Sequence, residues 1–225
     1  MIEDMKKMAG EKAAEYVKDG MVIGLGTGST VYYTILKLGD MVKDGLDIIG
    51  IPTSKETENL ARNLGIKVGT LTEYPEIDLT IDGADEIDPE LNLIKGGGGA
   101  LLREKIVAYA SKKEIIVADE RKIVEKLGER FYLPVEVIPF SEGVVFRKLD
   151  DMGLNPKVRM KDGGKYITDN GNMIIDCHTG PIKDPKNLEK ELNMIPGVVE
   201  NGLFIGLADM AIVGTKKKIK VLKGV

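Results

Sequence analysis

DLTIDGADEIDPELNLIKGGGGALLREK, residues 78–105, contains the pattern that decides the fold of this 225-residue chain. Its apolar run Leu79–Asp82 predicts a buried strand, and the residues from Ala100 onward have the spacing of a helix. Carboxylates and four consecutive glycines lie between the two elements. A buried strand, a polar loop and a helix in this order are typical of an α/β sheet, which binds ligands at the carboxyl ends of its strands.

The same alternation of strands and helices extends to both sides of this stretch. Further strands are predicted at Met21–Gly26, Leu46–Pro52, Ile66–Leu71 and Glu114–Asp119. Helical patterns separate most of them, and Ser54 is placed to cap one of these helices. The first part of the chain therefore predicts a parallel sheet covered by helices.

The pattern changes near Phe131. A strand, a helix capped by Ser141, a hairpin turning at Asn170-Gly171, a second helix and a strand predict a ferredoxin-like α+β module. The tail predicts two strands that return to the first sheet, with Lys216–Lys218 as a solvated turn between them. We therefore predict one domain of residues 1–130 plus 206–225 and a smaller α+β domain of residues 131–205.

The composition excludes several classes of protein. Hydrophobic residues make up 43% of the chain and charged residues 30%, which is ordinary for a globular protein, and a net charge of −4 gives no footprint for nucleic acid. One cysteine, no signal peptide and no apolar stretch that crosses a membrane predict a cytoplasmic protein. A single histidine cannot form a His-pair metal site. Cys177 and His178 end a predicted hairpin strand, and we interpret both as structural or incidental.

GLGTGST, residues 24–30, lies between a predicted strand and a predicted helix. Backbone N–H groups and hydroxyls at a helix N-terminus suit an anion such as phosphate, although a tight turn without a ligand is the alternative. The loop lacks the Gly-Lys-Ser/Thr ending of a P-loop, and Ser29 stands where a dinucleotide fingerprint has its third glycine. A nicotinamide-dependent oxidoreductase therefore remains a rival hypothesis with weak support.

DGADEID, residues 82–88, follows a predicted strand and so lies at the carboxyl edge of the sheet. A calcium loop of the EF-hand type does not fit, because Ala84 and Ile87 stand where a ligand and a glycine belong; magnesium stays open. Asp82 and Asp85 lie on a tight turn that suits sugar hydroxyls. A solvated acidic loop is the alternative, and it fits the other acids of this region, Glu86, Asp88 and Glu90.

KGGGGA, residues 95–100, is a second glycine element that opens a helix. Four glycines in a row are entropically costly, so we expect a ligand on this loop and the cation of Lys95 beside it. Glu104 leans back toward the loop from the first turn of the helix. A carboxylate beside a cation and an anion site is what a proton shuttle on a phosphorylated sugar requires. Lys122 follows the next strand, where a solvated lysine is the local interpretation.

Seven segments in order along nearly the whole chain resemble those of type A ribose-5-phosphate isomerases: GLGTGST, DGADEID, KGGGGALLREK, ADERK, LPVEVIPF, TDNGNMIID and IPGVVENGLF. The resemblance implies a Rossmann-like domain with an inserted α+β domain. It also implies a cofactor-free, metal-free enzyme of the non-oxidative pentose phosphate pathway, which interconverts ribose 5-phosphate and ribulose 5-phosphate as a homodimer or homotetramer. A non-catalytic sugar-phosphate sensor on the same fold is the alternative.

The resemblance also implies roles for particular residues. Glu104 matches the general base, and we assign Lys95 to the enediolate oxygen and Asp82 to ring opening. The implied substrate-binding positions are Thr27, Gly28, Ser29, Thr30, Asp82, Gly83, Ala84, Asp85, Lys95, Gly96, Gly97, Gly98 and Lys122. We expect phosphate where Thr27–Thr30 and Lys122 converge, although the sequence leaves open which glycine loop holds it.

Overall fold

The computed structural model describes residues 1–224. Its α-helices are α1 (Ile2–Ala14), α2 (Val31–Lys43), α3 (Lys55–Asn63), α4 (Leu101–Tyr109), α5 (Glu142–Asp151) and α6 (Pro185–Asn193). Its strands are β1 (Val22–Leu25), β2 (Ile49–Pro52), β3 (Lys67–Val68), β4 (Leu79–Gly83), β5 (Glu86–Ile87), β6 (Leu93–Ile94), β7 (Glu114–Asp119), β8 (Leu133–Val137), β9 (Pro156–Val158), β10 (Met160–Lys161), β11 (Gly164–Lys165), β12 (Met173–Cys177), β13 (Val198–Asn201), β14 (Leu203–Phe204), β15 (Met210–Gly214) and β16 (Ile219–Lys223).

The chain forms two compact units. The first contains Met1–Ala84, Arg103–Lys122 and the residues from Gly206 onward, and the second contains Asp85–Leu102 and Ile123–Ile205. The predicted domains differ from these units at residues 85–102 and 123–130, which the sequence placed with the first sheet. Both units are discontinuous in sequence, and a boundary inside the acidic loop leaves no compositional signal. The two-domain assignment itself stays a prediction.

The first unit is built on a seven-stranded sheet in the order β16-β15-β7-β4-β1-β2-β3. All neighbouring pairs are parallel except β15 and β16, so the tail returns to the first sheet as predicted. Apolar side chains of α1 and α2 pack with one face of the strands, among them Ala13, Ile35, Ile23 and Ile115. Val107 of α4 packs with Ile51 and Ile77 in a separate cluster.

The second unit contains a four-stranded antiparallel sheet in the order β13-β8-β12-β9. Alternate residues of β8, Leu133, Val135 and Val137, lie in one apolar core with Val145 of α5 and Leu192 of α6. The strand–helix–strand–strand–helix–strand sequence confirms the predicted α+β module. A small sheet in the order β14-β6-β5 and the two-stranded β10-β11 ribbon complete this unit.

The predicted hairpin at Asn170-Gly171 is only partly correct. The Gly171 N–H donates to the Thr168 carbonyl, which closes the turn, but a single bridge joins Ile167 to Met173. The outer partner of β12 is β9, which the sequence missed. Three residues beginning with proline are too few to display a period-two pattern, although proline is tolerated at the start of an edge strand.

Local predictions elsewhere were largely correct. β7 matches its predicted range, whereas β2 and β3 are shorter than predicted. Ser54 accepts the Thr57 N–H as a helix cap, but the Ser141 hydroxyl donates to the Ile138 and Gly197 carbonyls instead of capping α5. Residues 216–218 form the exposed turn between β15 and β16. Within residues 1–224, no helix has the length and apolar character needed to span a membrane.

The contact between α1 and β15 gives a test of the packing in the first unit. A Cβ atom on Gly214 would lie 1.9 Å from the backbone oxygen of Met5. We expect Gly214→Ala to lower the free energy of unfolding by about 1–3 kcal/mol, since the helix backbone must shift. Chemical denaturation followed by far-ultraviolet circular dichroism measures this change.

Gly143→Ala is the matched control, because a Cβ there has no neighbour within 4 Å in the first turn of α5. Removing a helical glycine should leave stability unchanged or raise it by about 0.5–1 kcal/mol. Equal unfolding midpoints for the Gly214 variant and the wild type would contradict the proposed packing.

Candidate functional site

Polar residues of the first unit gather at the carboxyl edge of its sheet. β4 lies between β1 and β7, with Leu25 opposite Ile81 and Gly83 opposite Val117, so these three strands end at one edge. The Thr27–Thr30 loop follows β1, Asp82 and Gly83 end β4, and Lys122 follows β7. Parallel α/β sheets bind ligands at this edge. The structure therefore brings these predicted residues together, with Ala84 directly after β4.

Asp82 is completely buried at the end of β4. Its Oδ1 accepts the N–H of Thr27 at 3.1 Å and the N–H of Gly83 at 2.7 Å. Gly26 makes this geometry accessible, because a Cβ atom on it would lie 2.2 Å from the same carboxylate oxygen. The end of β4 and the loop after β1 are thus joined through one carboxylate.

Thr27 has a structural use that the sequence did not predict. Its hydroxyl lies within hydrogen-bond distance of three other hydroxyls, those of Thr53 (2.7 Å), Ser54 (2.8 Å) and Thr57 (3.0 Å). The hydroxyls of Thr53 and Thr57 donate in turn to the carbonyls of Leu25 and Gly26. This hydroxyl cluster, residues 27, 53, 54 and 57, anchors the loop, and the substrate role of Thr27 stays a prediction.

The N-terminus of α2 has the properties of an anion site. Among residues 1–224, no acceptor takes the backbone N–H of Ser29, Thr30 or Val31. The first turn of α2 contains no acidic residue, and Gly28 has a positive φ of 135°, which favours glycine. Orphan N–H groups and the partial positive charge of a helix N-terminus bind phosphate or carboxylate.

Glu104 lies in the first turn of α4 and is 4% exposed. One turn further along the helix, Val107 packs beside Gly24 of β1. Because α4 leads into the amino end of β7, it runs against the strand direction. One helical turn toward its start is about 5 Å, or one to two strand residues, so Glu104 lies near the level of Gly26. This turn of α4 therefore lies at the same edge of the sheet as Asp82.

Lys122 ends the short 3₁₀ turn Glu120–Lys122 after β7 and is half-buried. The neighbouring Asp119 is completely buried and pairs with both Nε and Nη2 of Arg121. Burial acts to raise the pKa of Asp119, but the hydrogen bonds from Arg121 outweigh it, and the pKa lies below its usual value. The ionised Asp119 thus fixes the turn that presents Lys122.

In the second unit, Lys95 is buried directly after β6. Its side chain is among the largest fully buried ones, and the residue is 2% exposed. The Lys95 Nζ lies 5.4 Å from the ring centroid of Phe204, and its backbone N–H donates to the Gly202 carbonyl. A buried lysine is rare in proteins. This environment limits the positions that the ammonium can take.

The fold explains why glycine occupies three of the four consecutive positions. Gly96 and Gly99 have positive φ angles of 102° and 82°. A Cβ on Gly97 would lie 2.8 Å from the Asp85 carboxylate, which accepts the Gly97 N–H. Gly98 has neither constraint: a Cβ there would meet no atom within 4 Å, and its φ is outside the left-handed region. The fold alone therefore does not require glycine at position 98.

The acidic loop corrects one interpretation. Glu86 and Asp88 are buried, not solvated, whereas Glu90 is exposed as expected. Glu86 accepts three backbone N–H groups, from Gly128, Arg130 and Phe131. Asp88 accepts the N–H groups of Glu90 and Asn92. Both carboxylates are therefore structural.

The remaining candidates have structural surroundings. Cys177 is buried in the core of the second unit, and burial raises the pKa of its thiol to about 12. The ring of His178 lies 5.7 Å from that of Tyr132. In the part of the chain that the structure describes, no group of three or more His, Cys, Asp or Glu side chains could hold a metal ion.

Two residues that contact the glycine loop were missed. Arg159 donates to the Gly96 and Gly97 carbonyls, and the Tyr166 hydroxyl donates to the Gly98 carbonyl. Their partners are more than 60 residues earlier in the chain, so no local motif marks them.

Together these features define the class of the protein: an α/β protein that presents polar groups at the carboxyl ends of parallel strands. The family model for ribose 5-phosphate isomerase A (phosphoriboisomerase A) matches residues 49–218. Ribose-5-phosphate isomerase A of Bacillus mycoides is 56% identical over 218 residues, covering 96% of this chain and 98% of that protein.

Solved structures agree with this match. Ribose 5-phosphate isomerase A from Methanocaldococcus jannaschii has a TM-score of 0.94 at 50% identity, over 98% of this chain and 99% of the other. A D-ribose-5-phosphate isomerase in complex with phospho-erythronic acid has a TM-score of 0.97 at 45% identity, over 99% of each chain. The chain belongs to the ribose 5-phosphate isomerase A family, which confirms the family and fold class predicted from the sequence.

Gly98 gives a direct test of the glycine loop. We expect Gly98→Ala to leave the unfolding midpoint unchanged, because its Cβ meets no atom of the protein. We expect kcat/KM for ribose 5-phosphate to fall about 10- to 100-fold, because the added methyl group keeps the substrate from the Gly98 N–H. The expected loss is that of one hydrogen bond to a charged group. A coupled assay of ribulose 5-phosphate formation measures the change.

Gly143→Ala again serves as control, since it adds the same methyl group at another open position. Unchanged kcat and KM in the Gly98 variant would show that no ligand approaches this peptide.

Proposed function

We propose that this chain is an aldose–ketose isomerase that interconverts D-ribose 5-phosphate and D-ribulose 5-phosphate in the non-oxidative pentose phosphate pathway. The observation that carries the proposal is the isomerase of TM-score 0.97 that binds phospho-erythronic acid. That compound joins a planar carboxylate to a phosphate through a short polyol. It has the charge and the shape of a phosphorylated sugar whose first two carbons have become an enediolate.

Glu104 is the proposed proton shuttle. Its carboxylate removes the proton from C2 of the open-chain aldose, and the bonding electrons form the C1–C2 double bond of the enediolate. The electrons of the C1 carbonyl move to O1, which carries the developing charge. The same carboxyl group then returns the proton to C1 while the proton of the C2 hydroxyl passes to O1, so that C2 becomes the carbonyl and O1 a hydroxyl. The position of Glu104 at the carboxyl edge of the first sheet supports this role.

The enediolate oxygen is assigned to Lys95 and the glycine loop. A buried ammonium and backbone N–H groups stabilise developing negative charge more strongly than water does. Lys95 is buried and directly precedes the loop, and the Gly98 N–H has no acceptor among residues 1–224. Together with Gly96 and Gly97, these groups form the proposed oxyanion site.

Ring opening and the sugar hydroxyls are assigned to the two aspartates of the acidic turn. Asp82 transfers the proton between the ring oxygen and O1, and its carboxylate is oriented by the N–H groups of Thr27 and Gly83. Asp85 holds hydroxyls near the Gly97 peptide, to which it is bonded. Gly83 and Ala84 keep this turn compact, and a Cβ on Gly83 would already contact Val31.

Phosphate is assigned to the N-terminus of α2, with Lys122 as its counter-charge. The successive N–H groups of Ser29, Thr30 and Val31 lie without acceptors there within residues 1–224, whereas in the second glycine loop the N–H groups of Gly97 and Gly99 are already taken by Asp85 and Gly96. A dianion needs several donors, so the loop Thr27–Thr30 is the better of the two.

The chain is further proposed to act as a homodimer or homotetramer in the cytoplasm. An apolar patch of the second unit supports self-association: Phe140 (99% exposed), Met194 (81%), Val144 and Ile138. A bond from the Ile138 N–H to the Gly197 carbonyl joins the segments that carry these side chains. Exposed apolar patches of this kind mark interaction surfaces.

A metal-free assay of the purified protein tests the reaction. We expect conversion of ribose 5-phosphate after exhaustive chelation, and a kcat for Glu104→Gln that is about 10²- to 10⁴-fold lower with substrate binding retained. Glu125→Gln, at an exposed glutamate, is the matched control and should behave as wild type.

Each alternative has its own outcome. Binding without turnover in the wild type would favour a non-catalytic sensor, and turnover only with added NAD(H) would favour an oxidoreductase. Activity restored by a divalent metal would contradict the cofactor-free reaction. Near-normal turnover in Glu104→Gln would remove that residue from the mechanism.

The apolar patch is tested by Phe140→Asp. We expect the wild type to have the mass of two or four chains by light scattering, and the variant to have a smaller mass, because the charge cannot be buried at an interface. Tyr109→Asp replaces a similarly exposed aromatic residue of the first unit and should keep the wild-type mass. A mass that does not change in Phe140→Asp would place the interface elsewhere.

A further inference from the structure

Arg159 clamps the glycine loop inside the second unit. Its Nε and Nη2 donate to the two carboxylate oxygens of Asp176 at 2.9 and 2.6 Å. Its Nη1 donates to the carbonyls of Gly96 at 2.8 Å and Gly97 at 3.2 Å. The side chain is 10% exposed, and the guanidinium lies 5.4 Å from the ring of Tyr132 and 5.8 Å from that of Tyr166.

The guanidinium keeps its charge in this environment. Burial acts to lower the pKa of Arg159, but its hydrogen bonds to Asp176 outweigh burial and raise the pKa above the usual value. A bidentate arginine–carboxylate pair is also rigid, because two parallel bonds fix the plane of the guanidinium. Asp176 lies on β12, in the middle of the four-stranded sheet. The sheet therefore determines where Nη1 points.

This contact determines the direction of the loop peptides. A trans peptide is planar, so its C=O and the following N–H point in opposite directions. Arg159 holds the Gly96 carbonyl on one side, and Asp85 accepts the Gly97 N–H on the other. Arg159 likewise holds the Gly97 carbonyl, which turns the Gly98 N–H away from the guanidinium.

Glycine peptides need such a restraint. Glycine populates both signs of φ with similar ease, so four in a row permit several peptide orientations at little cost. The Tyr166 hydroxyl restrains the last of them by donating to the Gly98 carbonyl at 3.2 Å. Preorganised donors stabilise a transition state because they need not reorient during the reaction.

We propose that Arg159 is a positioning residue that aims the Gly98 N–H at the substrate by fixing the peptides of Gly96 and Gly97 from Asp176. The proposal rests on the assignment of this loop to the substrate under the proposed function. In this proposal Arg159 does not bind the substrate itself. It acts by orienting the peptide groups of Gly96, Gly97 and Gly98. The alternative is that the Arg159–Asp176 pair only stabilises the second unit.

The test compares Arg159→Met, which retains side-chain length, with two controls. Val145→Ala removes buried volume from the core of the same unit, and Arg147→Met removes an exposed arginine. We expect Arg159→Met to lower kcat/KM about 10- to 100-fold, as for misplaced catalytic groups. Val145→Ala should lower the unfolding midpoint with little change in kcat/KM, and Arg147→Met should change neither. A loss in Arg159→Met no larger than in Val145→Ala would overturn the proposal.

A double-mutant cycle identifies the route of the effect. If Arg159 acts through the Gly98 amide, the losses in Arg159→Met and Gly98→Ala overlap, and the double variant is little worse than the worse single variant. Losses that multiply would show that Arg159 acts independently of Gly98. Guanidinium at non-denaturing concentration should also restore part of the activity of Arg159→Ala; no recovery at any such concentration counts against a positioning role.

The backbone itself gives a reading that does not depend on catalysis. In ¹⁵N-labelled protein without substrate, the Gly97 and Gly98 amide signals should be single in the wild type and broadened or doubled in Arg159→Met. Unchanged glycine signals would overturn the positioning role even if the enzyme is active. If the wild type is inactive but the glycine signals still differ between the wild type and Arg159→Met, the proposed function is contradicted. The role of Arg159 in fixing the loop then stands.

Discussion

The carboxylate of Asp82 is the contact on which the edge of the first sheet depends. It accepts N–H groups from the loop after β1 and from the end of β4, and so joins two neighbouring strands where their regular hydrogen bonding ends. Only a glycine at position 26 permits this approach. The acidic residue and the glycine loop, which look like separate motifs in the sequence, are therefore parts of one arrangement.

The two glycine loops use the same device with different side chains. In the first unit, hydroxyls of Thr53 and Thr57 bind the carbonyls of Leu25 and Gly26, and the following N–H groups point to Ile81 and Asp82. In the second unit, Arg159 and Tyr166 bind the carbonyls of three glycines. Since C=O and the next N–H are opposed, side chains that hold carbonyls decide where the amides point. In both loops the direction of the amides is thus determined by side chains from other segments of the chain.

The sequence predicted what depends on local pattern and failed where partners are distant. The range of β7 and the order along the chain of most strands and helices follow from apolar periodicity and turn residues, which are short-range signals. The buried state of Glu86 could not be predicted, because its donors come 42 to 45 residues later and are backbone N–H groups without a sequence signature. Arg159 was missed for the same reason, and β9 because three residues show no alternation. The motifs predicted candidate site residues, whose roles stay predictions, but they gave no signal for the residues that hold those candidates in place.

Burial alone does not distinguish the carboxylates proposed to be catalytic from a structural carboxylate in this protein. Glu86 is as buried as Asp82 and Glu104, yet its oxygens are used by three N–H groups of one segment, Gly128–Phe131. A carboxylate that accepts three backbone bonds has little remaining capacity for a substrate. Asp82 and Glu104 differ from Glu86 in their location. Both are on elements that reach the carboxyl edge of the parallel sheet, where α/β proteins bind ligands. The proposed chemistry of Glu104 therefore rests on its position on α4 and on the family, and not on its low exposure.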